Sequence, residues 1–185
     1  MQGVRSNYFF MNVWIYKNSD DNKNRFILGK KGDNTLICIG INPSTASPDN
    51  LDNTLKTVEK RAKSLGYDSW IMINVYPQRA TNPKELEKGI NLEKHKNNIK
   101  HIKTIVSNKQ CDIWAAWGNN INIRPYLIKC LQEIVKHLPS NKTKWFTIGK
   151  KSKAGHPHHP LYLKNGLPKD TFDIDKYLME KSNNF

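Results

Sequence analysis

Four apolar runs in this sequence alternate with stretches of helical periodicity. Each run is followed at once by Gly, Pro or Asn, and together they cover residues 35–41, 69–76, 111–117 and 144–148. Because both faces of each run are apolar, the pattern predicts buried parallel strands. Leu, Ile and Val at helical spacing predict helices over residues 51–65, from Pro83 and around 99–106, over 123–137, and near 173–181.

Strands that alternate with helices predict an α/β fold, a three-layer sandwich around a mainly parallel four-stranded sheet. Two additional N-terminal strands are predicted at residues 8–16 and 25–30. No internal repeat or linker interrupts the chain, so we expect a single domain over residues 1–185. Right-handed crossovers bring the C-terminal ends of the four strands to one edge, where open α/β sheets bind ligands.

Polar residues cluster at each of these predicted strand ends. The first end supplies Asn42, Ser44 and Thr45, the second Asn74, Tyr76, Gln78 and Arg79, the third Gly118, Asn119 and Asn120, and the fourth a loop with His156, His158 and His159. The convergence of so many hydrogen-bonding groups predicts a ligand crevice at this edge. For each strand end taken singly, an ordinary polar turn remains the alternative.

The chain is strongly basic, with a net charge of +14. Such a charge fits a nucleotide or nucleic acid (DNA) as partner, because phosphates bind basic surfaces by releasing counterions. The basic residues are 25 Lys and only 5 Arg, alongside 22 Asn. Joint enrichment in Lys and Asn is also typical of A/T-rich coding sequences, so a solvated lysine-rich surface is the alternative.

Cysteine usage and hydropathy indicate a cytoplasmic protein. Three cysteines make an odd number, and two of them lie in or beside apolar runs, where a thiol acts as a small hydrophobe. The apolar run at residues 8–11 is too short to span a bilayer, so we expect no membrane partner. The oligomeric state is left open by the sequence.

The chemistry available at the strand ends is limited. No phosphate-binding glycine loop or nucleophile elbow is present, and the His-Pro loop lacks metal ligands at a usual spacing, so we expect no cofactor and no metal. Asn42 can orient a water molecule, and a histidine can donate to an oxygen that gains negative charge. Asp49 and Asp52 offer carboxylates or helix caps, and Arg79 offers a phosphate contact or a salt bridge.

Several motifs resemble one known family. They are Gly-Ile-Asn-Pro-Ser-Thr-Ala at 40–46 with Asp52 and Thr54, Asn-Val-Tyr at 74–76, Arg-Ala-Thr-Asn-Pro at 79–83, Ala-Trp-Gly at 116–118, and Gly-His-Pro-His-His-Pro-Leu-Tyr-Leu at 155–163. With these motifs the chain resembles the bacterial and phage family called "domain of unknown function 1643". The motifs extend over most of the chain.

A more distant resemblance implies a mechanism. Gly-Ile-Asn-Pro at 40–43 is similar to the first motif of mismatch-specific uracil/thymine DNA glycosylases, and His-Pro-His at 156–158 resembles the second motif of the uracil-DNA glycosylase superfamily. That resemblance implies that Asn42 positions the attacking water and that His156 stabilises the departing base. The sequence departs from those enzymes at Ser44, where they have Gly, and at His158, where they have Ser.

These observations predict a nucleotide- or DNA-directed, uracil-DNA-glycosylase-like protein that cleaves the N-glycosidic bond of an ordinary or modified base. The alternatives are a non-catalytic module that binds a nucleotide or phosphorylated ligand in the same crevice, and a plain DNA-binding protein. The predicted catalytic residues are Asn42, His156 and Asp49. The predicted ligand-binding residues are Ser44, Thr45, Asp52, Asn74, Tyr76, Arg79, Thr81, Gly118, Asn119, His158 and His159.

Overall fold

The computed structural model describes residues 13–106, 110–139 and 142–182. The strands are β1 Trp14–Asn18, β2 Arg25–Lys30, β3 Thr35–Gly40, β4 Ser69–Asn74, β5 Cys111–Ala115, β6 Thr143–Ile148 and β7 Lys169–Thr171. The helices are α1 Asn53–Ser64, α2 Leu92–Val106, α3 Tyr126–Lys136 and α4 Ile174–Ser182. The seven strands form one sheet in the order β1-β2-β4-β3-β5-β6-β7.

The sheet is mixed, so the prediction of a mainly parallel four-stranded, uracil-DNA-glycosylase-like sheet is wrong. β3 pairs in parallel with β4 and β5, and β5 with β6. The pairs β1–β2, β2–β4 and β6–β7 are antiparallel. The N-terminal hairpin extends the sheet because β2 hydrogen-bonds to β4. β7 is a short exposed Lys-Asp-Thr segment without an apolar pattern, so hydrophobic periodicity could not reveal it.

The other predicted elements differ from the structure mainly at their ends. Residues 8–12 of the predicted first strand lie outside the described residues, and β1 runs to Asn18. The helix predicted from Pro83 is a three-residue 3-10 turn, Pro83–Glu85, and α2 begins only at Leu92. The helix predicted over 51–65 is α1, which ends before Gly66. Gly66 has a φ of +85°, a conformation that glycine adopts without strain.

Helices cover both faces of the sheet. In β3, Leu36 and Cys38 pack with α1, whereas Ile37 and Ile39 pack on the opposite face with α2, α3 and α4. Both sets of side chains are buried, which explains why this strand is a continuous apolar run in the sequence. Among the described helices, none combines the length and hydropathy needed to cross a membrane.

The ends of β3 and β4 are fixed beside each other. Gly40 pairs with Asn74 in the parallel ladder, and the Nδ2 of Asn98 on α2 donates to the main-chain oxygen of Asn74 at 2.9 Å. β3 ends at Gly40, and the loop that follows leads into α1 at Asn53. The start of α1 therefore lies against the C-terminal end of the sheet.

Candidate functional site

A crevice of about 380 Å³ opens between the end of β3 and the start of α1. Its apolar lining includes Gly40, Ile41, Leu55 and Met72. The polar side chains that line it are Arg25, Asn42, Ser44, Thr45, Asp52, Asn53, Thr54, Thr81, Asn120, His159 and Tyr162. Six of the residues predicted as catalytic or ligand-binding are among the lining residues: Asn42, Ser44, Thr45, Asp52, Thr81 and His159.

Asn42 lines the crevice in a fixed orientation. Its Nδ2 donates to the main-chain oxygens of Pro43 at 3.0 Å and Ala80 at 2.8 Å. Since both partners are acceptors, the amide nitrogen must occupy this side, and the oxygen is set on the other. Asn42 therefore presents a positioned acceptor, which suits a water molecule or a donor group of a ligand.

Asp52 has two roles at the crevice. Its Oδ1 accepts from the N–H of Leu55 at 2.9 Å, which caps α1. The same carboxylate lines the crevice. Asp49, the other aspartate predicted near this turn, is exposed and does not line the crevice.

His159 is the histidine of the His-Pro loop that lines the crevice. Burial lowers its pKa, and the Asp52 carboxylate opposes this shift. The ring is therefore neutral at pH 7, and its Nδ1 accepts from the N–H of Leu161 at 3.3 Å, which leaves the hydrogen on Nε2. Gly118, with φ of +68°, lies close behind, since a Cβ there would be 3.2 Å from the Cβ of His159.

His156 is placed differently from its predicted role. The side chain is fully buried and does not line the crevice. Its Nδ1 shares a hydrogen bond of 2.8 Å with the Tyr177 hydroxyl, and its Nε2 one of 3.0 Å with the amide of Asn122. Burial and the charge of Lys181 lower its pKa to about 4. His156 is thus a neutral ring with both nitrogens engaged, and it joins α4 to the loop after β6.

The remaining predicted residues lie around the crevice without lining it. The Tyr76 hydroxyl donates to Glu87 at 2.8 Å, and Tyr76 packs in the core on the opposite face of the sheet. The Oδ1 of Asn119 accepts from Ser152 at 2.8 Å. His158 lines a separate hollow with neighbouring lysines. These three side chains are not brought together with Asn42.

Asn74 lies beneath the crevice, next to Gly40. Its side chain is fully buried, and among the described residues neither Oδ1 nor Nδ2 has a hydrogen-bond partner. A Cβ on Gly40 would lie 3.1 Å from this Oδ1 and 2.4 Å from the Cε of Met72. Gly40 and Met72 line the crevice, so an unpaired carboxamide lies directly behind its floor.

Two arginines converge on the loop that begins at Asn42. Arg79, predicted as a ligand contact, donates from Nη1 to the main-chain oxygens of Ser44 and, at 3.3 Å, of Ala46, so it holds the loop. Arg25 was not predicted; it is 2% exposed, lines the crevice, and donates to the oxygen of Ala46 at 3.2 Å. The sequence feature that could have identified Arg25 as a site residue is its position at the start of an apolar strand, in a chain with few arginines.

The family described as "Protein of unknown function (DUF1643)" matches residues 25–161. These residues make up most of the chain and include the whole lining of the crevice except Tyr162, so the chain belongs to this family. No curated protein and no solved structure matches the chain, and the resemblance to uracil-DNA glycosylases gains no support from these comparisons.

Proposed function

We propose that the crevice binds a nucleotide, either free or as a unit of DNA, and that Asn74 recognises its base. The observation that carries this proposal is the fully buried carboxamide of Asn74, whose oxygen and nitrogen both lack protein partners. Leaving a buried polar group unpaired costs about 1–3 kcal/mol, and such groups in native proteins call for an explanation. A ligand with a donor beside an acceptor would satisfy both atoms of Asn74.

The edge of a nucleobase has this chemistry. A carboxamide can bind a base through two hydrogen bonds, as Asn does with adenine. The missing side chain of Gly40 leaves room for the Cε of Met72 beside Asn74, so a base reaches the Asn74 carboxamide when the flexible end of Met72 moves aside. The crevice volume of about 380 Å³ is within the range of about 300–1,000 Å³ that is typical of ligand sites. The net charge of +14 favours a phosphorylated ligand.

Calorimetric titration with the deoxynucleosides of the common bases and of uracil tests this proposal. Asn74→Leu removes both polar atoms at similar volume and should abolish binding, whereas Asn74→Asp removes the donor alone and should change which base binds. Asn165→Leu is the matched control, because Asn165 is exposed and does not line the crevice. Equal binding by Asn74→Leu and the unmodified protein would refute the proposal.

Cleavage of the N-glycosidic bond is the second candidate function. The observation that favours it is the presence of Asn42, Asp52 and His159 in one crevice. In this reaction water attacks the sugar carbon and the base leaves with the bonding electrons. Asn42 Oδ1 would orient the water and Asp52 would accept its proton. The Nε2–H of His159 would donate a hydrogen bond to the departing base. His159 would thereby take the role that the resemblance implies for His156.

Release of free base from single-stranded DNA and from nucleotides distinguishes cleavage from binding. Uracil, thymine and modified bases are the substrates, and chromatography with mass detection is the measurement. Base release that is lost in Asn42→Ala and in Asp52→Asn supports cleavage. Binding of nucleosides without release of base leaves the crevice as a binding site.

A further inference from the structure

Arg25 is a buried cation that the fold does not neutralise. It is 2% exposed, and only its Nη1 has an acceptor among the described residues, the main-chain oxygen of Ala46. The Nε is buried and has no partner among the described residues. Burial, followed by repulsion from Arg79, lowers the pKa of Arg25 to about 10. A guanidinium with donors directed at no protein acceptor is poised to bind an anion.

The charges around Arg25 do not balance. Arg79 brings a second guanidinium to the oxygen of Ala46. The ion pairs found among the described residues include neither arginine. The carboxylate that acts on Arg25 is Asp52, whose Oδ1 already accepts from the N–H of Leu55. Arg25 therefore lies near a second cation and near one carboxylate that already caps α1, and a bound anion would complete the charge balance.

The start of α1 adds donors on the same side of the crevice. α1 has 12 residues, and the described residues offer no acceptor for the main-chain N–H groups of Asn53 and Thr54. Both residues line the crevice together with Arg25 and the hydroxyl group of Thr45. Free N–H groups and the helix dipole make the N-terminus of a helix favourable for phosphate.

We infer that Arg25 and the N-terminus of α1 form an anion subsite of the crevice, which binds the phosphate group of the ligand. The inference rests on the proposed function only for the identity of the rest of that ligand. The phosphate is either the monoester of a free nucleotide or a diester of the DNA backbone. Asn74 and Arg25 would then divide recognition, with the base bound at the end of β4 and the phosphate bound by β2 and α1.

Inorganic phosphate is the first probe, titrated into the full chain against chloride at equal ionic strength. The melting temperature should rise with phosphate, and Arg25→Met should weaken phosphate binding about tenfold or more, because a charge-assisted hydrogen bond is lost. Lys23→Met is the matched control, since it removes an exposed positive charge two residues away. Equal phosphate binding by Arg25→Met and Lys23→Met would overturn the inference.

Stability without ligand separates this role from a purely structural one. If Arg25 binds an anion, Arg25→Met should melt at the same temperature as the unmodified protein or higher, because it removes an unpaired buried charge. A lower melting temperature with an unchanged response to phosphate would assign Arg25 to the support of the loop alone. Should Arg25→Met fail to fold, Asp52→Asn provides the test: it retains a capping side chain, removes the competing carboxylate and should tighten phosphate binding. Unchanged or weaker phosphate binding by Asp52→Asn would overturn the inference.

Two further probes identify the source of the phosphate and separate this inference from the proposed function. A deoxynucleoside monophosphate and a short single-stranded oligonucleotide without terminal phosphates are titrated into Arg25→Met and into the control Lys23→Met. Weaker binding of the monophosphate alone in Arg25→Met indicates a free nucleotide, and weaker binding of the oligonucleotide indicates DNA. Phosphate that binds through Arg25 while nucleosides do not bind supports the subsite and refutes base recognition. Nucleosides that bind through Asn74, together with phosphate and monophosphate binding that Arg25→Met leaves unchanged, would support base recognition and overturn the subsite.

Discussion

His156→Gln should flatten the acid side of the dependence of stability on pH. His156 is fully buried, with its ring nitrogens bonded to Tyr177 and Asn122. Its pKa is lowered from 6.5 to about 4, mainly by burial and further by Lys181. Between these two pH values the unfolded chain binds a proton that the folded protein does not bind. The free energy of unfolding therefore contains a contribution that is complete above pH 6.5 and is lost as pH falls toward 4.

The size of this contribution follows from the shift. A fall in pKa from 6.5 to about 4 corresponds to about 3 kcal/mol, at about 1.4 kcal/mol for each pKa unit. The buried or half-buried rings of His95, His101 and His159 also have lowered pKa values and contribute with the same sign. For this reason the comparison between variants, rather than the profile of one protein, isolates His156.

Urea unfolding at pH 7.5, 5.5 and 4.5 is the assay, with His137→Gln as the control for a histidine outside this network. The unmodified protein and His137→Gln should lose stability more steeply between pH 6.5 and 4 than His156→Gln does. Over this interval, the loss in the free energy of unfolding should be smaller in His156→Gln by about 2–3 kcal/mol. Parallel profiles for the three proteins would refute the assignment of His156 as a buried neutral group.

Three further outcomes follow from contacts in and around the crevice. Tyr177→Phe leaves the buried Trp117 Nε1–H and a nitrogen of His156 without a partner, so the melting temperature measured by calorimetry should fall by about 5–15 °C. The control Tyr162→Phe should change the melting temperature little, because the Tyr162 ring is 77% exposed. Gly40→Ala places a Cβ over Asn74 and should abolish nucleoside binding measured by calorimetry, while cooperative urea unfolding is retained. Asp52→Ala should reduce the free energy of unfolding by about 1 kcal/mol, but Asp52→Asn by only a few tenths, because Asn also caps helices; equal losses would contradict the cap.

The position of the crevice could be predicted from the sequence, whereas the strands that surround it could only be predicted in part. The run that ends at Gly40 is apolar on both faces and is followed by Asn-Pro, so its end could be located without a structure. β7 could not, because Lys-Asp-Thr pairs with β6 through main-chain hydrogen bonds that leave no apolar signature. The pairing of β2 with β4 is a tertiary contact, and strand composition does not specify the neighbour of a strand.

Local sequence also does not specify which side chains of the predicted site face the crevice. His156, His158 and His159 share one proline-rich loop, and only the backbone path decides that His156 is buried while His159 lines the crevice. Asp49 and Asp52 are equivalent as candidates in the sequence, but one caps α1 and the other is exposed. Arg25 begins β2, and the sequence leaves open whether this strand extends the sheet or covers its edge, so no sequence pattern brings Arg25 to the crevice.

A crystal structure of the protein with a bound nucleotide would show whether the base and the phosphate bind where we propose. We expect the base edge to lie in the crevice, with hydrogen bonds of about 2.7–3.2 Å to Oδ1 and Nδ2 of Asn74. We also expect the phosphate to contact Arg25 and the N–H groups at the start of α1. A nucleotide bound elsewhere, for example in the hollow of about 560 Å³ beside β6 and β7, with Asn74 paired only to water, would contradict base recognition by Asn74.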